Sequence, residues 1–296
     1  MSQTEFDHGL PNGIGLAPYL RMKQEGMTEN ESRIVDWLLT PGNISDASAI
    51  KDVAEMLTVS EAMIVKVSKL LGFSGFRNLR SALVEYFSHS QQVLPAELSF
   101  DEAPQDVVNK VFNITLRTIM EGQSIVNVDE IHRAARFFYQ AKQRDLYGVG
   151  GSNAICADIE HKMLRIGVRC HAYQDAHIMM MSASLLKEGD VVLVVSHSGR
   201  TSDLKAAVEL AKKNGAKIIC ITHSYHSPIA KMADFIICSP APETPLLGRN
   251  ASARILQLTL LDAFFVSVAQ QNIELATQNM QKTGAIVDFF SPGALK

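Results

Sequence analysis

Cysteine is scarce in this chain: four residues in 296, at Cys156, Cys170, Cys220 and Cys238, far apart and with no Cys-x-x-Cys pair. That spacing excludes a disulfide framework and a thiolate metal site, and leaves small core residues in a reducing cytoplasm as the expectation. The nine histidines show no metal-ligand spacing either, so neither metal nor cofactor is expected. No apolar run approaches about 20 residues, so no membrane-spanning helix is expected. The N-terminus lacks a basic region followed by an apolar one, so no signal peptide is expected. A large excess of charge of one sign is missing too: the net charge is −3. Any nucleic-acid contact must therefore come from a local patch. Internal repeats and low-complexity tracts are absent.

What is present is ordinary for a globular protein, with 47% apolar and 20% charged residues. The length suggests roughly two domains. Residues 1–15, with Gly9, Pro11, Asn12, Gly13 and Gly15, read as a loose leader. Helical patterning begins at Thr28. Thr28 and Glu31 have the spacing of a capping box, Ile34, Val35, Leu38 and Leu39 form an apolar stripe, and Pro41-Gly42 stops the helix. Short helices are expected over 50–57 and, capped by Ser60 and ended by Gly72, over 61–71, with another over 76–88. Residues 89–105 read as a linker, and helices resume over 107–125 and 128–142. From Leu146 the texture changes. Apolar runs at 146–149, 191–195, 217–222 and 235–238 alternate with helical segments at 154–166 and 204–214, and a long helix follows over 251–271. Alternation of that kind predicts βαβ units and a parallel sheet. The fold class is thus α plus α/β: an all-α N-terminal domain followed by an α/β domain.

The most informative stretch is Val191-Val192-Leu193-Val194-Val195 followed by Ser196-His197-Ser198-Gly199-Arg200-Thr201. Five apolar residues, mostly β-branched, predict a strand buried on both faces. A loop leaving the carboxyl end of a parallel strand and opening a helix is where α/β sheets bind ligands. Hydroxyls beside free helix N–H groups favour a phosphate there. A second strand–turn–helix junction, Gly148-Val149-Gly150-Gly151-Ser152, precedes it by about 44 residues.

In the N-terminal half, two short helices joined by a tight turn match helix-turn-helix spacing. Counting at about 100° per residue places Ile64, Val67 and Leu71 on one side of the second helix, with Met63 and Leu70 beside them. Glu61, Ala62, Val65, Lys66 and Lys69 fall on the other side. Lysines meet phosphates or guanine edges, and aliphatic groups meet thymine methyls. Arg77 and Arg80 follow closely. Residues 60–90 carry a net charge of +2, against −5 for residues 1–59.

Ala54-Glu55, Ser60, Ile64-Val65-Lys66 and the run Lys69-Leu70-Leu71-Gly72-Phe73-Ser74-Gly75-Phe76 resemble the N-terminal domain of the RpiR family of bacterial regulators. The Gly150 and Ser198 junctions resemble those of a SIS (sugar isomerase) domain. The resemblance runs from about residue 17 to 285. It implies a helix-turn-helix domain over 17–93, a linker and connecting helix over 94–127, a SIS domain over 128–285 and a tail over 286–296. It also implies a bacterial, cytoplasmic repressor of sugar phosphate (ribose or allose) metabolism genes, with operator DNA and a phosphosugar effector as partners. A homodimer or homotetramer away from any membrane is implied as well. Effector contacts are then expected from Gly150, Gly151, Ser152, Ser196, His197, Ser198, Gly199, Thr201 and Glu243, with the backbone N–H groups of His197, Gly199 and Arg200 adding donors. DNA contacts are expected from Ser60, Glu61, Ala62, Val65, Lys66, Lys69 and Arg77. The other reading is a sugar phosphate isomerase or lyase, with Glu243 as base and His197 or His223 as acid. The attached DNA-binding pattern argues against it, so no catalytic residue is assigned. The helix Ile255–Val268, with Leu256, Leu260, Leu261, Phe264 and Phe265, is expected to serve as a subunit interface, with core packing as the alternative.

Overall fold

The computed structural model describes residues 15–24, 26–40, 42–90, 101–241 and 251–289. The chain divides into two compact units, residues 1–125 with 240–252 and residues 126–239 with 253–296.

The first unit is helical: α1 (Leu16–Gln24), α2 (Glu29–Leu39), α3 (Ile50–Leu57), α4 (Glu61–Leu70), α5 (Phe76–Ser90) and α6 (Pro104–Ile125). Its core gathers Leu20, Ile34, Leu38, Ile64, Val67 and Leu79, all fully buried. The helix α1 lies in a stretch for which no helix was expected. Pro18 is tolerated in its first turn, and Leu16, Ala17 and Leu20 bury one face. Helix α6 starts at Pro104 rather than 107, because proline suits a first helical turn. It is pinned near its end by Glu121, which is buried and paired with Arg21 at 2.6 Å and Arg117 at 2.9 Å. The Tyr86 hydroxyl donates to the same carboxylate at 2.6 Å. Most of the expected linker, 91–100, falls outside the described residues.

The second unit is a five-stranded parallel sheet of order β2-β1-β3-β4-β5. The strands are β1 (Arg144–Tyr147), β2 (His171–Tyr173), β3 (Val191–Val195), β4 (Lys217–Thr222) and β5 (Phe235–Cys238). Helices α7 (Val128–Gln140), α8 (Gly151–Arg165), α9 (Ala176–Leu185), α10 (Ser202–Lys213), α11 (Ala251–Ala269) and α12 (Ile273–Phe289) complete the element order. All five β3 residues are buried, as the sequence predicts. Val191, Leu193 and Val195 face a core shared with α7, α8 and α11, while Val192 and Val194 face a second core shared with α9 and α10. That alternation is the period of two of a strand covered on both faces.

Two expectations change here. Leu256, Leu260, Leu261 and Phe264 of α11 are buried in the sheet core and Phe265 packs against it, so these residues form core rather than a subunit interface. Residues 251–286 are also long and apolar enough, by length and composition, to cross a membrane, contrary to the expectation. Half of its most apolar 18-residue window is buried within the protein, which accounts for the apolarity. The cysteines form no disulfide, and burial pushes the Cys156 and Cys220 thiols up to about 12.

Candidate functional site

Strand β1 is the point where the strand order reverses, with β2 on one side and β3 on the other. In such sheets the crevice for a ligand opens outside the carboxyl ends at this switch. Tyr147 pairs in register with Val194, so the two glycine- and serine-bearing junctions leave the sheet side by side.

The loop after β3 folds back on itself. Ser196 is buried, and the Gly199 N–H donates to both its carbonyl (3.2 Å) and its Oγ (3.1 Å). The structure thus commits Ser196 and the Gly199 N–H, expected as ligand groups, to holding the loop. Gly199 has φ +59°, and a Cβ there would stand 2.1 Å from Ser227 Oγ. Its carbonyl accepts from the Ile229 N–H, and the His197 carbonyl accepts from the His223 N–H. A tight turn is therefore clamped onto the next loop, and only glycine fits it. Ser198 stays exposed, its Oγ accepting from the Arg200 N–H at 3.3 Å. The rings of His197 and His223 lie 5.1 Å apart.

The helices that begin at this crevice differ from α7, α9 and α12. Asn127 caps α7, Asp175 caps α9, and the Asn272 side chain accepts from the Leu275 N–H at the start of α12. Gly150 and Thr201, the N-cap residues of α8 and α10, make no side-chain cap hydrogen bond. Two helix N-termini thus lack a side-chain cap where the two junctions meet, the Ser152 and Asn153 N–H groups of α8 being held by the Val149 and Gly150 carbonyls, with Ser152, Ser198 and Thr201 around them. Glu243 lies outside the described residues.

In the helical unit, α3 ends at Thr58 in the left-handed region (φ 55°), which turns the chain sharply into α4. Ser60 caps α4, its Oγ accepting from the Met63 N–H at 3.2 Å. Ile64, Val67 and Leu71 are buried. Glu61, Ala62, Lys66 and Lys69 are exposed and Val65 is half-buried. Leu70 is exposed rather than beside the buried face. The Lys66 ammonium sits 2.7 Å from Glu31, a buried carboxylate on α2 that also accepts the Thr28 N–H at 2.9 Å. These contacts, the Lys66 hydrogen bond foremost, lower the Glu31 pKa to about 2. Lys66, expected at a DNA surface, is thus paired within the unit while its side chain stays exposed. Arg80 donates to the Ser48 carbonyl at 2.9 Å, whereas Arg77 is exposed.

The helix-turn-helix domain of the rpiR family matches residues 14–90, and the SIS domain matches residues 137–267. The chain is 89% identical over 296 residues, all of both sequences, to the HTH-type transcriptional regulator RpiR of Escherichia coli strain K12. This chain belongs to the RpiR family of transcriptional regulators. An uncharacterized HTH-type regulator of Caldanaerobacter subterraneus is 28% identical over 268 residues, covering 90% of this chain and 95% of its own. In fold, it is similar to Vibrio vulnificus NanR complexed with ManNAc-6P, with TM-score 0.58 and 24% identity over 92% of this chain and 97% of that one. The sugar isomerase domain of an RpiR transcription factor from Sphaerobacter thermophilus gives TM-score 0.56 at 18% identity, covering 61% of this chain and 99% of its own.

Within the family frame, the rpiR match spans α1 to α5, and the SIS match takes in all five strands. One further residue lies at the candidate site without any motif to mark it. Arg254, in the first turn of α11, brings its guanidinium to Gly151. Its signal was a cation at the start of a long apolar helix, the end that the helix dipole disfavours.

Proposed function

We propose that this regulator binds operator DNA through α4 and the start of α5, and that a phosphosugar held between the N-termini of α8 and α10 sets its operator affinity. The observation that carries the effector half is the pair of uncapped helices. The helix dipoles favour a bound anion, and α7, α9 and α12 are capped by side chains while α8 and α10 are not. Ser152, Ser198 and Thr201 supply hydroxyls, and Gly150 and Gly151 allow close approach of the α8 backbone. Ser196 and Gly199 shape the loop, His197 and Glu243 belong to the sugar side, and no residue has a catalytic role. The ManNAc-6P captured by the NanR protein supports a sugar phosphate as the class.

On the DNA side, Lys69 and Arg77 grip phosphates. Ser60, Glu61, Ala62 and Val65 present the start of α4 to base edges, and Lys66 braces α4 against α2. Binding as a homodimer or homotetramer makes the operator palindromic, with half-sites about 34 Å apart. Exposed Val108, Phe112, Leu116 and Met120, one turn apart along α6, support such association. The regulated genes are those of sugar phosphate metabolism, with ribose and allose phosphates first to test, and the action is repression relieved by the effector. The ligand acts by population shift: a tenfold loss of operator affinity needs about 1.4 kcal/mol of differential binding to the two states.

A thermal-shift panel of pentose and hexose phosphates against the full chain tests the reading. A selective ligand raises the melting temperature by mass action and releases a labelled operator in an anisotropy titration. A panel without a hit, or a hit that leaves operator binding unchanged, contradicts it.

A further inference from the structure

A side chain on Gly151 would collide with a cation. Its Cβ would stand 2.3 Å from Arg254 Nη2 and 3.3 Å from Cζ, so the missing side chain is the space the guanidinium occupies. Arg254 is exposed, and among the described residues its guanidinium makes no hydrogen bond or ion pair. It therefore lies against the first residue of α8 and belongs itself to the first turn of α11.

This arrangement is electrostatically wrong for an empty site. A helix N-terminus carries the equivalent of about half a positive charge. Both α8 and α11 present that end near the guanidinium, and no carboxylate among the described residues offsets it. An anion placed between guanidinium and amides reverses the sign of every one of these terms. Hydroxyls and amides accept a neutral or singly charged oxygen group, whereas a guanidinium fork discriminates for phosphate oxygens carrying full charge.

Resting on the effector reading above, we propose that Arg254 is the counter-charge for the effector's phosphate. It makes the site selective for a dianionic phosphate monoester over the neutral sugar and over the monoanion. Gly151 is the residue that gives it room. A phosphate monoester dianion takes up a proton and becomes a monoanion near pH 6, so effector binding weakens as the pH falls through that value, and Arg254 sets how steeply.

The test is isothermal titration of the full-length protein at pH 7.5 and pH 5. The probes are ribose 5-phosphate, allose 6-phosphate and inorganic phosphate, on wild type, Arg254→Gln and Arg254→Lys. Arg254→Gln is expected to weaken phosphate-bearing probes roughly ten- to a hundredfold at pH 7.5 and to flatten the loss of affinity between the two pH values. Arg254→Lys, which keeps the charge and loses the fork, is expected to fall between. Without ligand, the Arg254→Gln chain is expected to melt no lower than wild type, because no partner is lost. A purely structural role for Arg254 predicts a lower melting temperature and an unchanged pH profile. Wild-type affinity and wild-type pH dependence in both variants overturn the assignment of Arg254 alone. A wild-type chain that binds none of the three probes overturns the effector reading itself.

Discussion

Helices α4 and α10 both begin after a short loop with a hydroxyl residue at the N-cap position, and they end with opposite chemistry. Ser60 closes over α4, its oxygen taking the Met63 N–H. The helix start becomes a finished, self-satisfied shape, suited to entering a groove. Thr201 leaves α10 open, as Gly150 leaves α8 open, and the two openings meet at the switch point of the sheet. A closed helix end is a plug and a pair of open ones is a socket. Residue type alone does not distinguish them, since serine and threonine are both good caps. The surrounding charge follows the same division. Lys66 is matched by Glu31 within its unit, whereas Arg254, beside α8, has no ion-pair partner among the described residues.

The contrast breaks most visibly on the DNA side. Replacing Lys69 and Arg77 together with alanine is expected to weaken operator binding by at least roughly ten- to a hundredfold and to reduce the salt slope by about 2 for each protomer on the DNA. Effector affinity should be untouched, as read by anisotropy and calorimetry side by side. On the ligand side, Ser152→Ala with Ser198→Ala removes two hydrogen bonds to the charged phosphate at about 1.5 kcal/mol each. Phosphosugar affinity is expected to drop by roughly a hundredfold while ligand-free operator binding stays at wild type. Gly199→Ala forces a side chain into Ser227 at φ +59°. A loss of about 1–3 kcal/mol is expected in urea unfolding. The smallest effect separates Lys66 from its neighbours. Lys66→Ala is expected to leave the salt slope of operator binding nearly unchanged while costing some stability. Glu31→Gln should show why through its pH dependence. The folded pKa of Glu31 lies near 2, below its unfolded value of about 4.3, so its stabilisation is present above that unfolded value. It is lost as the pH falls toward 2, and the stability gap between wild type and Glu31→Gln should close over that window.

Much of this was readable before any coordinates. The alternation of apolar runs and helical stripes after Leu146 gave the parallel sheet, and the β-branched run of β3 gave its doubly covered centre. What escaped was weakly patterned. Strand β2 has three residues, none fully buried. Helix α9, Ala-His-Ile-Met-Met-Met-Ser-Ala-Ser-Leu, carries no charge, so it has no polar face to mark its period. The apolar stripe of α11 suggests an interface in sequence because a two-sided apolar helix has the same composition in a core, where the structure places it. The candidate site was legible as a pair of loops. Its division of labour was not, because it depends on which hydroxyl is turned inward: Ser196 is buried and Ser198 is exposed, two residues apart. Partners far away in sequence were equally hidden, Glu31 for Lys66 and Arg254 for Gly151.

A crystal structure of the full chain with the phosphosugar that scores highest in the thermal-shift panel tests the socket most directly. The phosphate is expected between the first turns of α8 and α10, within hydrogen-bonding distance of Ser152, Ser198 and Thr201. A phosphosugar bound elsewhere, with both helix starts bridged only by water, contradicts the account.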